Sequence, residues 1–288
     1  MGKLFHKEIQ ERQVTPNMQL QGLYNKLFEG GGYKPNVNSS NEAVFIPLVS
    51  QSFMREPLAR PRPQREVLRI ASLGCGLCAA VDHYSAALGH SAGIFGMDLS
   101  SSALQSARAL GRGTHCRDPP CLKQGSLVAV PWPDAYFDAV VCSDVMEHIP
   151  PANVPNAIRE IARVTKHIAF LGIALSSSVN LGTELHLSRF PAEWWTRAFE
   201  QQGFRRVDIR HYEWERLWAR NEHPLDRQQK PLWYAGKVCE ESAQEARHPL
   251  QQRCTMLFAF AKKTPSAHEI ARHLPARARA FVAGVGAQ

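Results

Sequence analysis

The chain offers little that would tie it to a membrane or to an oxidising compartment. Nowhere among its 288 residues does an apolar run reach the about 18–20 residues of a spanning helix, which excludes a transmembrane segment of that kind. The opening stretch MGKLFHKEIQERQ lacks the apolar core of a signal peptide, and Glu8 and Glu11 argue against a transit peptide. A myristoylation signal would have Ser or Thr where His6 stands after Gly2. Seven cysteines, an odd number and several in apolar strand-like surroundings, suit reduced thiols better than a disulfide framework. The expectation is a cytoplasmic protein with no membrane partner.

Other signatures are missing too. There is no internal repeat, no block of five or six like charges and no RNA-binding module pattern. The formal charge of +8 suits a solvated basic surface as well as RNA or acidic partners. Cys75 and Cys78 form a CxxC, but they lie inside a glycine turn. Cys116 and Cys121 have four residues between them, so the spacing departs from a zinc framework and no metal site is expected.

What is present is concentrated between Val67 and Asp98. Val67 to Leu73 is an apolar run that reads as a buried parallel strand. It ends on Gly74-Cys75-Gly76, an Ala-rich helical stretch follows, and Ile94 to Met97 delivers Asp98. Strand, glycine turn, helix, strand and acid make a nucleotide-binding βαβ layout. Glycines let the backbone approach a ligand, and the acid can hold both ribose hydroxyls. Gly74 to Ala79 also fits G-x-G-x-x-A, which leaves a dinucleotide reading open.

The alternation continues. Ser100 reads as the N-cap of a helix to Leu110. Residues 111–124 are irregular and leave a third strand unplaced. Ala139 to Cys142 reads as a fourth strand, Asn153 to Lys166 as an amphipathic helix and Ile168 to Leu175 as a fifth strand. Pro191 to Gln202 is a helix stopped by Gly203; Val207 to Ile209 and Thr255 to Ala261 are strands. The pattern implies a parallel sheet covered by helices on both faces. Before it, Gln19 to Phe28 and Ala43 to Phe53 read as short helices, and Pro57, Pro61 and Pro63 stiffen a basic linker. The division expected is an extension over 1–66, a main domain over 67–262 with an aromatic and basic insertion at 212–253, and a basic tail over 263–288.

Residues 125–166 sharpen the class. Pro131-Trp132-Pro133-Asp134 is followed by Phe137-Asp138, an apolar strand, Asp144-Val145-Met146-Glu147-His148, and a helix ending Arg159-Glu160-Ile161-Ala162-Arg163-Val164. This order resembles class I S-adenosylmethionine-dependent methyltransferases of the type 11 group, which read LPFPD, FDVV, DVLEH and REIARVLKPGG at the same spacing. The resemblance covers residues 67–175 well and continues more loosely through EWWTRAFEQQGF. It implies a doubly wound, Rossmann-like α/β sheet of seven strands with a terminal antiparallel strand. It also implies S-adenosylmethionine as cofactor, and methyl transfer to an oxygen or nitrogen of a small-molecule acceptor.

Carried over residue by residue, the resemblance implies a cofactor site of Ser72, Gly74, Cys75, Gly76, Asp98, Leu99, Ser126, Leu127, Ser143 and Asp144. Asp98 would take the ribose diol. Asp144, Glu147 and His148 would flank the cleft, with His148 and His186 as the catalytic candidates. Trp194 and Trp195 fit core packing better than a pocket wall, and Asp138 reads as a structural turn residue. The Asn/Asp-Pro-Pro-Tyr motif of enzymes acting on base amines is missing, and Cys142 lacks the neighbouring proline of a cytosine-C5 nucleophile.

The sequence departs from the family at four places. Ser72 and Ser126 stand where acids are usual, Cys78 replaces the third glycine, and Lys166-His167-Ile168 replaces Pro-Gly-Gly. Each serine gives up a charge-assisted contact worth about 1–2 kcal/mol. The departures support an alternative: a methyltransferase-like scaffold that binds RNA or protein partners through its basic tail and aromatic insertion.

Overall fold

The computed structural model describes residues 18–30, 67–81, 84, 92–113, 121–180, 183–207 and 255–262. The Ala43 to Phe53 helix, the Pro57–Pro63 linker, the 212–253 insertion and the 263–288 tail expected from sequence lie outside the described residues. The division into these segments therefore remains an expectation.

The seven main strands are β1 (Leu68–Leu73), β2 (Ala92–Asp98), β3 (Leu122–Gln124), β4 (Phe137–Ser143), β5 (Thr165–Ala174), β8 (Phe204–Val207) and β9 (Thr255–Lys262). A separate hairpin is formed by β6 (Val179–Asn180) and β7 (Thr183–Glu184). The large sheet runs β3-β2-β1-β4-β5-β9-β8. Strands β1 to β5 are parallel, and β9 is antiparallel to both its neighbours. This is the doubly wound, Rossmann-like sheet with an antiparallel last strand that the sequence implies. The strand order reverses between β1 and β4, and open α/β sheets bind ligands beyond the carboxyl ends of strands at such a point.

The central strands are buried on both faces, which is why they read as unbroken apolar runs. One face packs against α3 (Val154–Val164) and α4 (Ala192–Glu200) through Ile158, Ile161, Trp195 and Phe199. The other packs against α2 (Ser101–Ala109) and a helical segment starting at residue 79, through Leu104, Val81 and Tyr84. Trp195 is fully buried in the core. The helix α1, residues 18–29, precedes the sheet and buries Leu27. No described helix is long and apolar enough to cross a membrane.

Three boundaries differ from the sequence reading. Helix α3 stops at Val164 and β5 starts at Thr165 with no loop between. The buried Thr165 hydroxyl donates to Ile161 O at 2.6 Å and closes the last turn. Strand β8 starts at Phe204, three residues early. Gly203 at φ 81° ends the preceding turn, and the buried Phe204 ring packs at once against Phe199 and Phe260. The unplaced third strand is a three-residue edge, Leu122–Gln124, too short for any alternation to register. Cys121 is disulfide-bonded, where the sequence reading favours reduced thiols over a disulfide framework. Cys75, Cys78 and Cys142 are buried without a disulfide.

Candidate active site at the carboxyl ends of the strands

Beyond β1 the chain turns sharply. Gly74 takes φ 80°, Gly76 φ 50° and Cys78 φ 56°. The left-handed region costs a side chain about 1–2 kcal/mol, so Cys78 keeps a glycine's backbone conformation without being one. Gly74 N and Cys75 N both donate to Met97 O, at 2.7 and 2.9 Å, which ties the turn to β2. A Cβ at Gly74 would come within 2.2 Å of Val145 Cγ2. The glycine turn thus lies directly against the Asp144–His148 segment.

Asp98 ends β2. Its Oδ2 accepts from Gly76 N at 2.7 Å and its Oδ1 from Ser100 N at 2.8 Å. Burial pushes the carboxyl up from its ordinary pKa, and these backbone donors partly offset that. Ser100 caps α2 through its hydroxyl, which accepts from Ala103 N at 3.1 Å.

Helix α1 crosses this edge, a contact that the sequence reading did not anticipate. Asn25 Oδ1 accepts from Ser100 Oγ at 2.8 Å, and Glu29 accepts from Ser102 Oγ at 2.7 Å. A side chain at Gly76 would meet Phe28, and Tyr24 stands edge-on to His148 at 5.8 Å between ring centroids.

The remaining cofactor candidates sit along the same edge. Ser72 is buried in β1, and Leu99 follows Asp98. Ser126 and Leu127 form the turn after β3, where Ser126 Oγ accepts from Val128 N at 3.4 Å. Ser143 ends β4 and donates from Oγ to Asp144 at 3.0 Å; Asp144 itself takes φ 55°. Asp138 lies at the other end of β4, accepting from Arg69 N at 2.9 Å and facing Lys166 and His167. That position is remote from the site.

Past β4, Glu147 and His148 meet His186, although 38 residues separate the histidines. Backbone contacts explain the meeting. Ser188 N donates to Glu147 O at 2.9 Å, and Ser188 Oγ to Ile149 O at 2.6 Å. The β6–β7 hairpin then presents His186, with Glu184 accepting from the backbone N–H groups of Ser178 and His186, each at 2.9 Å. The imidazole rings lie 4.8 Å apart, edge to face.

Each ring is held by a carbonyl: His148 Nδ1 on Leu185 O at 2.9 Å, His186 Nδ1 on Ser176 O at 2.6 Å. A carbonyl only accepts, so both Nδ1 atoms carry a proton, and each ring in its neutral form presents a bare Nε2. Burial, then the neighbouring His186, lowers the His148 pKa to about 4. Glu147 is fully buried and pushed well above the ordinary carboxyl range, by burial first and by Asp144 second. Its Oε1 accepts from Ala174 N at 3.1 Å, while its Oε2 has no partner among the described residues.

One further pair explains the co-occurrence of motifs. Arg163 donates to Val130 O, Trp132 O and Asp134 at 2.8–2.9 Å and to Glu160 at 2.7 Å. Glu160 in turn accepts from Val130 N at 2.7 Å. The helix motif therefore clamps the Pro131–Asp134 loop that carries the chain into β4. Burial pushes the Glu160 carboxyl up, but Arg163 and the Val130 N–H outweigh it and hold the group below its ordinary range. Its stabilising share is present above the ordinary carboxyl pKa and is lost as pH falls through the lowered one. Arg163→Ala is expected to cost about 2–3 kcal/mol, because two carbonyls and two carboxylates lose a charged donor. Urea unfolding checks it, and a loss under about 0.5 kcal/mol would place the clamp among ordinary surface contacts.

Residues 71–171 match the family model of the methyltransferase domain Methyltransf_11. Residues 71–171 thus resemble that methyltransferase domain over the span from β1 into β5. Among solved structures it is similar to the YcgJ protein of Bacillus subtilis, with 17% identity over 76% of this chain and 98% of the other, TM-score 0.47. It is also similar to magnesium protoporphyrin IX methyltransferase ChlM of Synechocystis PCC 6803, solved with bound S-adenosylmethionine: 15% identity, 67% and 88% of the chains, TM-score 0.46. A third is an S-adenosylmethionine-dependent methyltransferase of Mesorhizobium loti, with 17% identity over 71% and 95% of the chains, TM-score 0.43. No curated protein sequence matches the chain.

Proposed function

We propose that this chain transfers the methyl group of S-adenosylmethionine to an oxygen or nitrogen of a small-molecule acceptor. The observation that carries the reading is convergence. The left-handed glycine turn, the Asp98 carboxylate and the paired imidazoles lie along one sheet edge, where β1 and β4 part.

The residues fit the cofactor. Asp98 Oδ2 accepts from Gly76 N and Oδ1 from Ser100 N, and a carboxylate's four acceptor sites leave room for a ribose hydroxyl. Gly74, Cys75 and Gly76 would carry the methionine carboxylate, with Ser72 beneath the ammonium. Leu99, Ser126 and Leu127 would border the adenine, while Ser143 and Asp144 would close the side toward the acceptor. When bound, the cofactor supplies an electrophilic methyl carbon on a sulfonium. An acceptor lying against His148 or His186 would find a bare Nε2 there to take its proton. Alignment of the two reactants supplies most of the acceleration.

Ser72 and Ser126, which lack the usual negative charge, favour a second reading: a scaffold that keeps the fold and engages RNA or a protein through segments outside the described residues. A thermal-shift titration with S-adenosylmethionine and S-adenosylhomocysteine separates the two. At 100 times the dissociation constant a native-state ligand adds about 2.7 kcal/mol, so a saturable rise in Tm is expected, lost in Asp98→Ala and reduced in Asp98→Asn. No shift at millimolar ligand, in protein that melts cooperatively, would leave the scaffold reading.

A further inference from the structure

We propose that Glu147, His148 and His186 form a binding site for a divalent first-row transition-metal ion. One ligand atom from each residue lies within 4.8 Å of the others. Ligands about 2.0–2.2 Å from a common ion sit roughly 3–4 Å apart, so closure by about 1–2 Å completes the site.

Three independent features point the same way. Both histidines spend Nδ1–H on a main-chain carbonyl, which fixes the ring and leaves Nε2 as the donor atom. That outer hydrogen bond is what metal-ligating histidines use to set tautomer and orientation. Glu147 holds one oxygen on Ala174 N and leaves the other buried without a partner, a costly arrangement unless something cationic takes it up. The segment that delivers His186 is pinned to the backbone on both sides of His148, so the three side chains sit on braced elements. Two imidazoles and one carboxylate suit zinc, cobalt(II), manganese(II) or iron(II) rather than an all-oxygen calcium site.

Three protein ligands leave positions open on the ion. On the methyl-transfer reading, both Nε2 atoms are then spent on the ion rather than free as bases; an open position would receive an acceptor oxygen and help its proton depart to water, which selects a hydroxyl-bearing acceptor over an amine. The site itself does not depend on that reading.

The test is titration of the full-length chain, stripped with chelator and freed of it, with cobalt(II) alone and manganese(II) alone. One equivalent is expected, with visible cobalt bands of nitrogen and oxygen ligation and no intense near-ultraviolet thiolate band. His148→Gln and His186→Gln, at half-buried positions, are each expected to weaken binding about 100-fold or more, and Glu147→Gln likewise. Circular dichroism melts confirm that each variant is folded, and the wild-type titration decides the matter even where a variant is not. Absence of binding, a thiolate spectrum, or undiminished wild-type affinity in folded His148→Gln and His186→Gln would overturn the proposal. The titration contains no S-adenosylmethionine. Metal binding without a cofactor-induced Tm shift would therefore count against methyl transfer alone, and a cofactor shift without metal binding against the metal site alone.

Discussion

Gly74→Ala is expected to lower S-adenosylmethionine affinity about 100-fold while leaving the chain folded. Two costs combine at this position. The backbone sits at φ 80°, where a side chain costs about 1–2 kcal/mol. The new methyl would also lie 2.2 Å from Val145 Cγ2, and overpacking of that kind costs typically about 1–3 kcal/mol. Either the turn moves or Val145 does, and both lie against the proposed cofactor site. Val145→Ala removes the two γ-methyls, at 2.2 and 3.1 Å, and leaves the backbone strain. The double variant should therefore recover about tenfold, one decade being about 1.4 kcal/mol. Calorimetric titration of the four proteins of this cycle gives the coupling directly. Unchanged affinity in Gly74→Ala would mean that the turn and the Asp144–His148 segment do not touch when the cofactor is bound. Because Val145 precedes Glu147 and His148 by two and three residues, the same variant should also weaken cobalt binding.

That coupling shows what a sequence reading reaches and where it stops. Strands β1, β2, β4 and β5 were legible because central parallel strands are buried on both faces and read as apolar runs. Strand β3 was not, since a three-residue edge holds one buried side chain, Leu122. The glycine turn and Asp98 were legible because their spacing is local: strand end, turn, strand end. Glu160 and Arg163 stood inside a recognisable motif, but their task of gripping Val130, Trp132 and Asp134 is visible only once the loop is folded onto the helix. The meeting of Glu147 and His148 with His186 was hidden for a different reason. It is set by main-chain bonds of Ser188 and by carbonyls of Leu185 and Ser176, groups that carry no residue-type signal. Spacing rules for metal sites look for ligands close in sequence, and here the third comes from a separate hairpin. The placement of α1 over Gly76 and Ser100 was likewise a tertiary fact, although Gln19 to Phe28 reads as a helix.

Phe199→Ala is expected to cost about 3–5 kcal/mol of folding stability, the range for deleting a large buried aromatic. Phe199 is fully buried on α4. Its ring stacks on Phe260 of β9 at 4.6 Å and 14°, and meets Phe204 of β8 at 5.9 Å. Phe260 also stacks on Phe258, with the ring centroids 5.7 Å apart. This aromatic cluster joins α4 to the last two strands of the sheet, which pair antiparallel to one another. Removing one ring leaves a cavity whose walls belong to a helix and two strands, and such elements cannot all close on it together. The loss is a large share of the about 5–15 kcal/mol that a domain typically holds, so a clear fall in the urea midpoint is expected. The cluster belongs to β8, β9 and α4, whereas the proposed cofactor residues follow β1, β2, β3 and β4. Below the unfolding transition, Phe199→Ala should therefore bind S-adenosylmethionine with wild-type affinity, the reverse of the pattern expected for Gly74→Ala. A loss under about 1 kcal/mol would contradict the seating of β9 between β5 and β8, because a ring stacked on β9 could not then be dispensable.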